Sequence, residues 1–400
     1  MSHCCRHCGS PLEHEVIDLG HQPPSNAYLT KEQLSLPEQT YPLKVFVCTN
    51  CWLVQLPAHA SANELFTADY AYFSSTSKSW CDHARNFVSL AVDRLGLGTE
   101  SFVVELASND GYLLQYVQQK NIPCLGIEPT QSTANASRAK GIQTLEAFFG
   151  SELGAQLEKA DLVIANNVLA HVPDINDFIQ GISNLLKSSG QASVEFPHLL
   201  RLIQGNQFDT IYHEHYSYLS LGFLSRICKS FSLEIVDVEK LSTHGGSLRV
   251  WIARPGKFEV SSSVESLLEE ETAYGLQDKS AYIGFQNTAQ ICKISLLSFL
   301  IDAKKSGTKL LGYGAAAKGN TLLNYCGVND DLLPMVADQA LSKQGKYLPG
   351  SHIPVVSPHA LKSAKPDQLL LLPWNLINEI SQMYPTTPLI TAIPDLVKHF

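Results

Sequence analysis

The sequence predicts a three-part α/β protein: a small N-terminal zinc-binding module followed by two domains of alternating strands and helices. Three observations predict it. Two Cys-x-x-Cys pairs lie about forty residues apart near the N-terminus, Ser101 to Pro129 reads strand, glycine loop, helix, strand, and a second strand with a glycine loop recurs at Lys309 to Thr321.

Length and composition set the frame. Four hundred residues, 44% of them apolar, suffice for two sizeable cores and an accessory module. A formal net charge of −9 leaves no basic footprint for nucleic acid, and no run reads as a membrane span. The opening MSHCCRHCGS lacks the apolar segment of a signal peptide, so the ten cysteines are expected in the reducing cytoplasm, where clustered pairs mean metal more often than disulfide. No element singles out an oligomeric state, and a monomer would suffice for the organisation read here.

Taken in order, Cys5, Cys8, Cys48 and Cys51 can aim four thiolates at one tetrahedral ion, the ligand set of structural zinc. Four sulfur ligands leave no position for water, so the ion would clamp a module spanning residues 1–56 without joining in chemistry. QPPSNAYL between the pairs and YFSSTS after them are rich in Tyr, Ser and Asn. Tyr72 and Ser74 are candidates to line a polar ligand, although a surface loop packed through its aromatics fits the spacing equally. A helix is expected from Ser79 to Leu95.

The stretch SFVVELASNDGYLLQYVQQKNIPCLGIEP then gives a strand at Phe102 to Leu106, a loop with small residues at Ala107, Asn109 and Gly111, a helix carrying Leu113, Leu114 and Val117, and a strand at Cys124 to Ile127. Glu128 follows where nucleotide-binding α/β folds place an acid against a ribose. The loop is not GxGxxG, and Glu105 sits in the first strand. An acid there suits the cationic amino-acid end of S-adenosylmethionine and would oppose a pyrophosphate. Further strands are expected in GIQTLEAFF, in ADLVIANNVLAHVPD and at Gln191 to Phe196, building a parallel sheet whose crevice would receive Asn166 and Asn167.

QFDTIYHEHYSY sets Tyr212, His213, Glu214 and His215 in a row after Asp209. Adjacent histidines point apart and no HExxH spacing is present, so general acid–base work is preferred over a metal. His244, Gly246 and Arg249 lie in a glycine turn that either presents amides and a guanidinium to an anion or closes a hairpin. Toward the C-terminus, Ser262 with Glu265 reads as a capping box, and Tyr282 to Ala303 as a long amphipathic helix. Gly314, Lys318 and Asn320 then occupy a glycine loop opening a helix, with a lysine placed to meet phosphate, and MVADQ ends a second strand in an acid. Tyr347, Trp374 and Asn375 are further loop candidates.

Together the two knuckles, QPPSNAYL, YFSSTS, VVELASNDGYLL, GIEPT, NNVLAHVPD, EFPH, YHEHYSY and THGGSLRV resemble the sugar C-methyltransferases over nearly the whole chain. The resemblance implies a class I methyltransferase domain with a Rossmann-like fold in the middle, expected over residues 57–255, and a C-terminal Rossmann-like domain over 256–400 that helps hold a nucleotide. It implies S-adenosylmethionine as cofactor, held by Glu105, Ala107, Asn109, Gly111, Glu128, Asn166 and Asn167, besides structural zinc. The implied substrate is a dTDP-linked 4-keto-6-deoxyhexose methylated at C-3, with Tyr72, Ser74, His244, Gly246, Arg249, Gly314, Lys318, Asn320 and Tyr347 as substrate-binding candidates. His215 is the expected base, with Glu214 orienting it and Tyr212 and His171 hydrogen-bonding an enolate oxygen. The rival readings are an NAD-dependent nucleotide-sugar oxidoreductase or epimerase, which would need a Tyr-xxx-Lys pair that is not found, and a non-catalytic zinc-dependent interaction protein.

Overall fold

The computed structural model describes residues 3–59 and 73–400. Near the N-terminus, β1 (His14–Gln22), β2 (Tyr41–Val47) and β3 (Val54–Gln55) form an antiparallel run. In β2 alternate residues are buried, the period of a strand with one face on a core. Cys5 and Cys8 precede β1, and Cys48 and Cys51 form the turn between β2 and β3.

The middle of the chain supplies β4 (Val103–Leu106), β5 (Cys124–Ile127), β6 (Thr144–Leu145), β7 (Ala160–Asn166), β8 (Leu186–Pro197), β9 (Ser217–Tyr218), β10 (Glu234–Leu241) and β11 (Ser247–Ala253). Seven of them make one sheet in the order β10-β11-β8-β7-β4-β5-β6. The five strands β4 to β8 are parallel as expected, whereas β11 and β10 add antiparallel to β8. β4 is buried along its whole length and β7 along all but one residue, which explains their continuous apolar character. The remaining strand, β9, leaves this sheet and pairs with β3, so a piece of the chain far beyond residue 56 completes the N-terminal sheet.

The C-terminal sheet is built from β12 (Leu310–Tyr313), β13 (Val336–Ala337), β14 (Val355–Val356), β15 (Gln368–Leu371), β16 (Leu389–Thr391) and β17 (Val397–His399), in the order β14-β13-β12-β15-β16-β17. It is parallel except for its last strand. Before it runs the helix Phe285–Lys305, whose buried side includes Phe285, Ala289, Cys292, Leu296 and Leu300. The helix expected from Tyr282 thus starts a little later, after a short 3-10 turn at Lys279–Tyr282. The capping box expected at Ser262 shifts by one residue: Ser261 is the cap of helix Ser262–Tyr274, its hydroxyl accepting from the amide of Ser263.

Two cores tie the parts together. Residues of β1 and β2, among them Ile17, Leu43 and Val45, share one apolar cluster with Leu296, Leu322 and Val336 of the C-terminal part. Cys5, Cys48, Cys51 and Leu53 share another with Val163 and Val194 of the central sheet and Phe178 of the helix Ile175–Leu185. The small module therefore buries one side against each large domain. Among the described residues no helix is long and apolar enough to cross a membrane.

Candidate active site and metal centre

The sulfurs of Cys5, Cys8, Cys48 and Cys51 all lie within 4.8 Å of one another, with 3.5 Å between those of Cys5 and Cys51 and between those of Cys8 and Cys48. A tetrahedral ion with zinc–sulfur bonds of about 2.3 Å requires sulfur edges of roughly this length. The Gln55 amide donates to the Cys5 sulfur at 3.1 Å, the kind of hydrogen bond that stabilises a ligating thiolate. His7 stays outside the group, its ring Nδ1 facing the Asn176 carbonyl oxygen at 2.7 Å. The donor set fits zinc and leaves it a structural role.

In the central sheet the chain runs outward from β4 to β6 and returns to β7 on the other side of β4. The carboxyl ends of β4 and β7 therefore flank a topological switch point, where such sheets bind ligands. The loop after β4 is unusual backbone: Ala107 and Asn109 hold left-handed φ values of 54° and 50°, and Gly111 one of 73°. A Cβ on Gly111 would come 2.4 Å from Ile142 Cδ1, so only glycine fits. Glu128 at the end of β5 accepts the Asn109 amide at 2.9 Å and the Thr130 amide at 3.0 Å, which pins the loop to its neighbouring strand. Ser74 donates its amide to Asn109 Oδ1 at 2.9 Å, placing the FSSTS segment over the same loop. Tyr72 lies outside the described residues.

Several polar atoms in this crevice lack a protein partner. They are Oε2 of Glu105, Oγ of Ser108, Oδ1 of Asn166 and both amide atoms of Asn167. Burial, reinforced by Glu128 and Asp110, pushes the Glu105 carboxyl well above its ordinary range. A cationic amino-acid group is the natural complement to such an acid, and orphaned amides suit the polar edge of an adenosyl group.

Next to this crevice the YHEH segment splits its side chains. His213 turns to the N-terminal sheet, with Nε2 at 3.3 Å from the Tyr41 carbonyl. His215 turns the other way: its ring lies 3.9 Å from that of Tyr212 and 4.6 Å from that of His171. Nδ1 of His215 donates to the Thr210 carbonyl at 2.8 Å, so the neutral ring presents Nε2 as its lone pair. The orienting acceptor is thus this carbonyl, while the Glu214 carboxylate accepts the Asn26 amide at 2.7 Å. His171 Nδ1 donates to the Glu214 carbonyl at 2.9 Å. Desolvation holds His171 and His244 down at about 4 and His215 well below its ordinary value.

The C-terminal sheet brings its own crevice to the same place. Its chain reverses between β12 and β15, and the segments after those strands carry Lys318 and the pair Trp374 and Asn375. The Trp374 indole donates to Asp209 Oδ2 at 2.7 Å, and Lys318 Nζ donates to Asn375 Oδ1 at 2.8 Å over the Trp374 ring. Gly245 packs on Trp374, where a Cβ would sit 2.4 Å from the indole. Gly246 lies against Arg201, and Gly314, with φ of 87°, against Pro373. Asn320 is buried, donating to the Ser25 carbonyl at 2.6 Å, and Tyr347 exchanges backbone hydrogen bonds with Leu29. These last two fasten the domains and stand apart from the histidines.

The free guanidinium expected of Arg249 is not available to an anion. Glu195 takes it at 3.1 Å and Glu239 at 3.2 Å. Buried Glu195 also meets His83 Nε2 at 3.0 Å, and Trp80 stacks on the His83 ring at 4.9 Å. Sequence reasoning missed His83 and Glu195. The signal was present in EFPH, an acid at the carboxyl end of a buried strand beside the crevice.

Residues 5–66 match the zinc-binding domain family of these methyltransferases, residues 81–238 the methyltransferase domain family, and residues 242–388 the C-methyltransferase C-terminal domain family. Over 381 residues the chain is 35% identical to C-methyltransferase NovU of Streptomyces niveus, an alignment covering 94% of this chain and 90% of that one. The chain belongs to this C-methyltransferase family. It is an S-adenosylmethionine-dependent methyltransferase with a zinc-binding N-terminal module. Solved structures with similar folds are more distant. Magnesium protoporphyrin IX methyltransferase from Synechocystis PCC 6803 is 16% identical, covering 45% of this chain and 83% of its own at a TM-score of 0.34. An S-adenosylmethionine-dependent methyltransferase from Clostridium acetobutylicum ATCC 824 is 14% identical, covering 44% and 92% at a TM-score of 0.37.

Proposed function

We propose that this C-methyltransferase methylates C-3 of a dTDP-linked 4-keto-6-deoxyhexose in cytoplasmic deoxysugar biosynthesis. One observation carries the reading: the segment that bears Tyr212 and His215 is bonded through Asp209 to Trp374, just past β15 of the C-terminal sheet, while its His215 ring packs on His171, just past β7 of the central sheet. A carbon acceptor needs an acidified C–H bond, which a neighbouring ketone provides, and a base that is neutral at pH 7, which burial provides for His215. His215 Nε2 takes the α-proton while the Thr210 carbonyl holds the ring in the required tautomer. Tyr212 lies beside it, where its hydroxyl can donate to the developing enolate oxygen, whereas neutral His171, whose Nδ1 proton goes to the Glu214 carbonyl, keeps only a lone pair on Nε2 and serves to pack the His215 ring. Glu105, Asn109, Glu128, Asn166 and Asn167 would hold S-adenosylmethionine, which supplies the electrophilic methyl group. The C-terminal crevice takes the nucleotide part, with the first amides of helix Ala317–Cys326 toward the diphosphate.

The test is incubation with S-adenosylmethionine and a panel of nucleotide-linked 4-keto sugars, read by mass. A gain of one methyl on a dTDP-linked 4-keto-6-deoxyhexose is expected, located at C-3 by NMR. Methyl transfer only to substrates without a keto group would overturn the enolate mechanism. Tight NAD binding without S-adenosylmethionine binding would overturn the whole reading.

A further inference from the structure

Removing a proton beside a ketone leaves a full negative charge on the keto oxygen, and an enclosed site must meet that charge with a cation or strong donors. The base His215 and its neighbours His171 and His244 are neutral at pH 7, since burial holds each of them far below its ordinary pKa. Arg249 is neutralised by Glu195 and Glu239. Arg6 gives its guanidinium to the carbonyls of Pro173 and Leu56.

Lys318 is different. Its ammonium uses one donor on Asn375 Oδ1 and lies 4.7 Å from the centre of the Trp374 ring. Among the described residues no carboxylate stands within ion-pair distance of it; burial lowers the pKa of the ammonium, and Asp209 opposes that by favouring the charged form. Trp374, over whose ring the ammonium lies, holds Asp209, and the carbonyl of the next residue, Thr210, accepts the His215 Nδ1 proton, so the lysine and the base are fastened to one short segment. Asp209 itself is fully buried, anchored by the Trp374 indole on one oxygen and without a partner on the other. A half-enclosed lysine with no contact ion pair is costly to keep unless its charge is used.

We infer that Lys318 is a catalytic residue whose ammonium stabilises the enolate oxygen formed when His215 takes the α-proton, with Asn375, Trp374 and Asp209 as its positioning residues. The inference rests on the enolate mechanism proposed above. In the step, the C–H bond breaks, its electron pair becomes the carbon–carbon double bond, the carbonyl π pair moves onto oxygen against Lys318, and the proton goes to His215 Nε2. This differs from the role expected of a lysine in a glycine loop, which is to hold the diphosphate.

The two roles separate in one experiment. Exchange of the α-proton of a dTDP-linked 4-keto-6-deoxyhexose with deuterated water is followed by NMR at saturating sugar without S-adenosylmethionine, and dTDP affinity is measured by calorimetry. Lys318→Met is expected to slow exchange by about 10²–10³ while changing dTDP affinity less than about threefold, and Lys318→Arg to recover part of the exchange. Should Lys318→Met fail to fold, Asn375→Ala and Trp374→Phe release the ammonium and are expected to slow exchange by about tenfold, again with dTDP affinity kept. Normal exchange with dTDP binding weakened tenfold or more would make Lys318 a diphosphate ligand and overturn the inference. Absence of exchange in the unaltered protein with every 4-keto sugar would instead remove the enolate mechanism, and the role of Lys318 with it.

Discussion

His213 and His215 are two residues apart and cannot be ranked by spacing, yet their surroundings differ in kind. His213 is enclosed against the Tyr41 carbonyl of the N-terminal sheet, whereas His215 has its tautomer fixed by Thr210 and faces Tyr212 and His171. Replacing His215 by Asn is therefore expected to cut turnover by about 10²–10⁴ with little change in the binding of either ligand, and to slow α-proton exchange in parallel. Exchange that survives in His215→Asn but vanishes in His213→Asn would transfer the role. Because the pKa of His215 is depressed, the acid limb of kcat/KM should fall below pH 6.5. Glu105 titrates in the opposite sense. Burial raises the pKa of its carboxyl, and a cation brought against it favours the charged form. Binding of S-adenosylmethionine should thus release a proton and tighten as pH rises. Calorimetry in two buffers of different ionisation enthalpy measures that proton directly, and identical enthalpies in both would show that Glu105 does not meet the cation.

At the level of elements, what could be read from sequence was what local chemistry dictates. The spacing of four cysteines, the small residues after β4 and the acid after β5 each serve one turn or one strand end, and their positions in the fold follow from that. Long-range pairing was not legible. Nothing in Ser217 and Tyr218 announces that they complete a sheet begun two hundred residues earlier, and nothing in SLRV shows that Arg249 will meet Glu195. The knuckle element carries its own test. Cys5, Cys48 and Cys51 lie in the core shared with the central sheet, so losing zinc should weaken more than the module itself. Metal analysis is expected to find about one zinc per chain, and Cys48→Ser to lower both metal content and Tm. Full metal content with unchanged Tm in that variant would dismiss the four-sulfur site.

Across the whole molecule, the N-terminal module acts as a wedge whose strand face packs on the C-terminal part and whose cysteine end packs on the central sheet. The segment 208–218, which carries the proposed base, threads between them, with Ile211 accepting from Thr321, Asp209 from Trp374, and Tyr216 from Leu56. Domain docking and the placement of the proposed base, His215, are in this way one event, and acid should undo both. His171, His213 and His244 have folded-state pKa values lowered to about 4, so in the native protein they stay neutral while the unfolded chain takes up protons below about pH 6.5. The unfolded state then binds more protons, and stability falls as pH drops from 6.5 toward 4, by up to roughly 1.4 kcal/mol per pH unit for each such group. Asp209 and Glu105 work against this, because their raised pKa values contribute stability at low pH that is lost as pH rises, through about 6 in the case of Asp209. His213 isolates the histidine contribution, since it lies at the interface with the N-terminal sheet and outside the reacting cluster. His213→Gln is expected to flatten the fall in Tm between pH 6.5 and 4.5 relative to the unaltered protein. Parallel Tm curves for the two proteins would mean that His213 is free to protonate in the folded state and that the wedge is looser than its packing indicates.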